Sequence, residues 1–336
     1  MTDILVAKPK LPEGWTDVSV GEPHLVRDEL MLQFDVADQI NNLNVSSSEL
    51  SYPTPSGYQP LVDMLEKKHG APVVITNGAK QALGAVFYAL AKANKNKVGM
   101  RLPYWALIPP LAHMHGLECV YDNLGDAYLC LAPNNPDGHL PDFGNLQKSC
   151  AQDLCIPLIH DAAYYTPIYL GADANLSPIG DVQIFSISKM IGLSGLRLGY
   201  AVCYNRDFYT PLRQYVEAMT VGASIFSQKL LYSIFHKMDK CPIVTKQFEA
   251  SCFHQLQNNK KLCLSINPEV LEVPENILTT PGMFGWFKVG PKADFKKSKL
   301  NFIDGSLFGV PGFVRMNLAF PTAKMRQIID SLNKSA

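Results

Sequence analysis

Seven short apolar runs constrain this chain more than any other feature: Val73 to Thr76, Val98 to Leu102, Glu118 to Tyr121, Tyr128 to Ala132, Cys155 to His160, Val182 to Ser186 and Leu198 to Cys203. Several are apolar on both faces, and helical or turn segments separate them. That is the pattern of a sheet buried under helices on both sides, which requires mainly parallel strands. The expected fold is therefore α/β, with a mainly parallel seven-stranded sheet. Ligands of such sheets gather at the carboxyl ends of the strands, and the polar residues of interest mostly follow these runs directly.

The remaining segments fill in the outline. Residues 1–45 hold prolines at 9, 12 and 23 and little regular pattern, and are expected to form an arm that joins part of the small domain. Leu61, Met64, Leu65 and Lys68 fall at helical spacing before Gly70. Past about residue 207 the pattern turns helical, and one long helix is expected near 225–260. Two strand-like pieces, Met283 to Val289 and Phe313 to Ala319, and a helix from Ala323 predict a smaller α+β domain. The expected division is an arm at 1–45, a large domain at 46–235 and a small C-terminal domain at 236–336.

Composition narrows the partners. Lys+Arg and Asp+Glu each number 30, and no basic run offers a footprint for nucleic acid or an anionic membrane. No apolar run approaches the roughly 20 residues that span a bilayer, and the first residues lack the pattern of a secretory signal. A cytoplasmic protein with a small-molecule partner is expected. The eight cysteines show no CxxC pair and no cysteine–histidine ligand spacing, so packed thiols are expected and no metal site.

The stretch Phe185 to Tyr200, FSISKMIGLSGLRLGY, carries Lys189 just past a strand end and Arg197 eight residues later. Val73 to Thr76 runs straight into Asn77-Gly78-Ala79-Lys80 and a helical pattern. A strand that turns through glycine into a helix leaves the first amide groups free for an anion. Asp161 ends another run, with Tyr164 three residues on and Asn135 upstream. A lysine, a carboxylate, a tyrosine, an asparagine and a glycine turn are the groups that a covalently held pyridine cofactor with a phosphate tail requires. Each alone has a plainer reading: Asp161 as a helix cap, Asn135 as a turn residue, Lys189 as a surface lysine.

Three elements, read in order, carry a resemblance: AlaProAsnAsnProAspGly at 132–138, HisAspAlaAlaTyrTyr at 160–165, and SerIleSerLys at 186–189 followed by GLSGLRLGY. The chain resembles fold-type I pyridoxal 5′-phosphate enzymes of the class I/II aminotransferase superfamily, from about Gly21 to Arg315. The first two elements and Ser-Lys-Met-Ile-Gly are similar to the plant branch that holds tryptophan-pyruvate aminotransferase and alliin lyase; GLSGLRLGY is closer to histidinol-phosphate aminotransferases. The chain is shorter than either group and lacks a cysteine-rich N-terminal module, a shortfall expected in the arm and the small domain.

The resemblance implies roles. Lys189 would form the Schiff base with the cofactor and act as general acid/base, which requires a depressed pKa. Asp161 would hold the pyridine nitrogen protonated, while Tyr164 and Asn135 would bond the phenolic oxygen. Gly78, Ala79, Lys80, Ser186, Ser188 and Arg197 would form the phosphate cup. Tyr52 would reach the phosphate of a neighbouring subunit in a homodimer, or else simply pack in its proline-rich turn. Trp105, with Tyr104 as the alternative, would stack on the ring. Arg315 would pair with the substrate α-carboxylate, with Gly21 and Asn135 on the substrate side. No second arginine marks a reader of a side-chain carboxylate.

The implied reaction is ping-pong transfer of an amino group from an L-amino acid to a 2-oxo acid. Two rivals stand beside it. One is a lyase eliminating at the β or γ carbon, and the other is a cofactor-binding protein without turnover.

Overall fold

The computed structural model describes residues 10–174 and 176–335. The part of the expected arm in residues 1–9 lies outside the described residues. The seven runs form one sheet: β1 (Val73–Thr76), β2 (Lys97–Met100), β3 (Glu118–Tyr121), β4 (Ala127–Leu131), β5 (Leu158–Asp161), β6 (Val182–Ser186) and β7 (Gly199–Cys203), in spatial order β1-β7-β6-β5-β4-β2-β3. Burial on both faces follows from the two-sided runs: Val73 and Ile75 enter one hydrophobic core and Val74 the other.

One strand breaks the parallel rule, because β7 is antiparallel to both β6 and β1. Between β6 and β7 lie only a one-turn helix, Ile187–Met190, and a 3₁₀ turn, Ser194–Leu196, too little for the crossover that a parallel neighbour needs. The chain therefore reverses at the sheet edge where β6 ends. Lys189 and Arg197 both lie in that reversal, at the same edge as the carboxyl ends of β1 and β5.

The N-terminal region is more regular than its sequence suggests. It holds α1 (His24–Phe34) and α2 (Val36–Asn41). In α1, Leu25, Val26, Leu30 and Phe34 are buried while Met31 and Leu32 are exposed, and apolar residues on both faces hide the helical period. Helix α3 (Gln59–His69) ends where Gly70 takes a positive φ of 69°, and α4 (Ala79–Lys92) follows β1 through Gly78.

The long helix expected near 225–260 is two helices, α5 (Ile225–Lys240) and α6 (Pro242–Cys263). Pro242 lacks an amide hydrogen and disfavours a helical conformation at Cys241, so α6 starts afresh with proline in its first turn. The position 235/236 falls inside α5.

The smaller sheet pairs β8 (Leu271–Glu272), β9 (Phe284–Val289), β10 (Ile303–Asp304) and β11 (Phe313–Asn317) in the order β10-β11-β9-β8, all antiparallel. Helix α7 (Thr322–Asn333) closes the chain and packs on α6. The N-terminal segment belongs with this half: Thr16–Asp17 pairs in parallel with Leu300–Asn301. Among the described residues no helix is long and apolar enough to cross a membrane, and no cluster of His, Cys, Asp or Glu could hold a metal ion.

Candidate active site

A cationic corner forms where β1, β6 and β7 meet. Gly199 pairs with both Thr76 and Ser186, and a Cβ there would lie 2.5 Å from the Ala79 amide nitrogen, so only glycine lets the two turns approach. This residue carried no distinguishing signal beyond its place in GLRLGY. Gly78 sits at the N-terminus of α4 with φ of 80°, and a Cβ on it would lie 3.0 Å from Arg197 Nη2. Arg197 itself is left-handed, with φ of 52°, a conformation costly for a side chain of this kind. It donates to the Ser194 carbonyl at 3.0 Å through Nη1. The Ala79 and Lys80 amides and the Ser186 and Ser188 hydroxyls make no hydrogen bond among the described residues. Free helix amides, two hydroxyls and a guanidinium around a glycine cradle suit a phosphate.

Lys189 follows Ser186 and Ser188 on the one-turn helix and is half-buried. Its Nζ donates to the Gly21 carbonyl oxygen, so the N-terminal segment lies directly over it. Burial, then the charge of Arg315, and more weakly Arg197 and Lys80, pull its pKa down to about 8, against an upward pull from Glu22. Tyr169 donates its hydroxyl to the Lys189 carbonyl at 2.8 Å and so fixes the turn from behind.

Asp161 is buried at the end of β5 and accepts from the Ala163 amide at 3.1 Å. Burial raises its carboxyl to about 6, only partly offset by that amide, and among the described residues it has no ion pair. Such a carboxyl is matched to a cationic partner that no described residue supplies. Tyr164 is buried beside it, edge-on to Phe284 and Tyr169, and burial pushes its phenol upward while Arg315 pulls it back. Neighbouring His160 is held neutral, at about 4, by burial; its ring nitrogens face the Ala132 carbonyl and the Gln183 amide, both at 2.9 Å.

The two asparagines of the NNPDG turn have different partners. Asn134 makes the turn bonds, donating to the Pro103 carbonyl at 2.9 Å and to Asp137 at 2.7 Å. That leaves Asn135 free to accept from Arg315 Nη1 at 2.8 Å. Arg315 is buried on β11, donates through Nη2 to the Ser19 carbonyl, and lies 4.2 Å from the Phe284 ring centroid and 5.1 Å from that of Phe308. Its Nε is buried without a hydrogen-bond partner. Burial brings its pKa down to about 10, opposed by Tyr164 and Asp17. A buried guanidinium with no carboxylate in contact is ready for an anionic ligand.

Phe284 and Asn317 were not legible as site residues. Phe284 is the diagonal cross-strand neighbour of Arg315, since Trp286 is directly opposite it. Asn317, two residues along the same face, donates to the Val20 and Glu22 carbonyls at 2.9 and 2.8 Å and presents Gly21 between them. A Cβ on Gly21 would lie 3.3 Å from Lys189 Nζ and 3.1 Å from Phe284, a tight fit against both.

The aromatic alternatives separate. Tyr104 stacks on Tyr121, with centroids 5.1 Å apart, whereas Trp105 receives Lys80 Nζ 5.6 Å from its ring centroid. Trp105, not Tyr104, therefore borders the cationic corner. Tyr52 is 89% exposed.

Lys80, Lys189, Arg197 and Arg315 thus share one space with a buried carboxyl at its back, and the donor set fits pyridoxal 5′-phosphate at both its phosphate and its ring nitrogen. Comparison with known proteins agrees. A family profile described as allinase (Alliinase_C) matches residues 66–261. Tryptophan aminotransferase-related protein 2 of Arabidopsis thaliana is 27% identical over 247 residues, which cover 64% of this chain and 53% of that protein. Alliin lyase of Allium cepa var. aggregatum is 34% identical over 97 residues, 28% of this chain and 19% of its own. The chain spans about half the length, or less, of the first curated relatives it matches. Among solved structures, LysN, an α-aminoadipate aminotransferase of Thermus thermophilus complexed with N-(5′-phosphopyridoxyl)-L-leucine, superposes with a TM-score of 0.77 at 17% identity, covering 96% of this chain and 93% of that one. That likeness shows the fold, the type I aminotransferase fold.

Proposed function

This chain belongs to the allinase family, whose members use pyridoxal 5′-phosphate, and from that premise we propose that it is an aminotransferase moving an amino group from an L-amino acid to a 2-oxo acid by a ping-pong mechanism. The observation that carries the reading is the Arg315–Asn135 pair beside Lys189, a buried cation without a carboxylate partner set next to a nucleophilic amine.

When bound, the cofactor supplies an aldehyde for the amine and a protonated ring that draws electrons from the substrate α-carbon. Arg315 binds the α-carboxylate and, with Asn135, orients the α-carbon toward Lys189. The Lys189 amine, at about 8, is partly unprotonated near neutral pH and removes and returns the α-proton. Asp161 holds the proton on the ring nitrogen, the cationic partner its burial lacks. Phe284 excludes water from Arg315 and Tyr164. We place Tyr52 at the phosphate of a second subunit in a cytoplasmic homodimer, a role that its exposure supports.

Elimination at the β or γ carbon is the second reading, favoured by the allinase profile and the alliin lyase match. Product analysis separates the two. Transamination consumes a second 2-oxo acid in step with the keto acid formed, whereas release of ammonia and a keto acid without any acceptor overturns it in favour of the lyase.

A further inference from the structure

Behind the turn that carries Lys189 lies a cavity of about 270 Å³ that the reaction does not use. It sits between α3, β6, β7 and the junction of α5 with α6. On one wall Phe185 and Tyr200 stack with centroids 4.8 Å apart, and His69 lies 4.9 Å from Phe185 with its Nε2 3.2 Å from the Tyr200 hydroxyl. Burial, and then Lys68, hold His69 neutral, at about 4. Met64, Met190 and Met238 supply adaptable thioethers around this aromatic wall.

Two observations point to a ligand of defined chemistry. Its wall is mainly apolar and aromatic, with Phe185, Tyr200, Phe235 and Phe248 in it, a lining that suits a flat apolar ring system. The charged residues are Lys68, Asp239 and Glu249; the Glu249 carboxyl makes no hydrogen bond or ion pair, so the lining offers an anion no net attraction. As to size, a dry cavity of about 150 Å³ holds benzene, so this one has room for two fused rings.

We propose that this cavity is a second ligand site, taking a neutral two-ring aromatic molecule. Met190 and Ile191, which directly follow Lys189, form part of its wall, and Tyr169 ties the Lys189 carbonyl to the same region. An occupant braces the back of that turn, so it and the amino donor affect each other's binding reciprocally.

The test is equilibrium dialysis of 2-naphthol against the purified full chain. One saturable site per chain is expected. Met238→Trp, which fills the cavity from α5, should weaken it by about tenfold or more, and Leu176→Trp at the rim repeats the test should that variant fail to fold. 2-Naphthoate should bind at least about tenfold more weakly, because its carboxylate would be buried in a lining that carries no net positive charge. Absence of saturable binding, equal binding to both tryptophan variants, or competitive displacement by an amino acid would overturn the proposal.

Discussion

The two halves of the active site are held by different means. In the large-sheet half, Gly78, Asp161, Ser186, Lys189 and Arg197 each lie at a strand end or in the turn after it, and one rule of α/β sheets places them all. In the small-domain half, Arg315 is held by Asn135, Ser19, Phe284 and Phe308, from four separate segments, and Gly21 is presented by Asn317. Backbone geometry thus fixes the groups proposed to hold the cofactor, and side-chain packing fixes those proposed to face the substrate.

The largest effect should come from the first half. Lys189→Ala should lower kcat by about 10⁴-fold, the upper end of what a positioned acid–base group contributes. A panel of amino donors gives the measurement, and a variant within tenfold of the parent would break the assignment of chemistry to the sheet edge.

Next is Asp161 in the cofactor-free protein. Its folded pKa is raised to about 6 from an ordinary 3.8, so between those values the folded state binds more protons than the unfolded one. Stability from this group is present below about 4 and lost as pH rises through about 6, on the order of 3 kcal/mol. Asp161→Asn should remove that slope and stabilise the cofactor-free protein at pH 7. Urea unfolding from pH 4 to 8 measures it, and parallel profiles for the two proteins would show that Asp161 is not strained by burial.

The same division explains what could be read from the sequence. Strands β1, β3 and β6 fall where the runs predict them, residue for residue, and in β1 and β6 burial on both faces leaves a continuous apolar signal. The strand-end residues followed from those runs. The reversal of β7 comes from a connection too short for a crossover, the break in the long helix from Pro242 alone, and helix α1 is masked by apolar side chains facing solvent, as Leu32 does. Phe284 and Asn317 had no local signal, since their roles come from cross-strand register and from contact with residues about 300 positions away. Arg315 was legible only through its resemblance to a family motif.

The second half is tested by Arg315→Ala, with Arg315→Lys as the conservative control. Loss of charged hydrogen bonds to a carboxylate costs about 1.5–3 kcal/mol, so KM for the amino donor should rise roughly 10- to 100-fold while the cofactor is retained. The halves also touch electrostatically, because Arg315 is the main charge lowering Lys189. Removing it should move the titration of the Lys189 amine above about 8, read as the pH dependence of cofactor loading. An unmoved profile together with a raised KM would make the two halves independent; an unchanged KM would remove Arg315 from carboxylate binding.

The smallest effect is expected from Tyr52, which belongs to neither half within one chain. Its loop is anchored, since a Cβ on Gly222 would lie 2.8 Å from Pro53 and Gln228 accepts from the Tyr58 amide at 2.6 Å, yet the ring itself stands in solvent. An anchored loop holding out an exposed tyrosine suits a contact made in another subunit. Tyr52→Phe keeps the ring and removes one hydroxyl, so cofactor affinity should change only through that bond, with a loss of about fivefold. The loss should be seen at chain concentrations where sedimentation shows a dimer and vanish on dilution to monomer. Equal cofactor affinity for parent and variant in the dimer would leave the phosphate to the Gly78–Arg197 corner alone, and the large-sheet half would then be complete within a single chain.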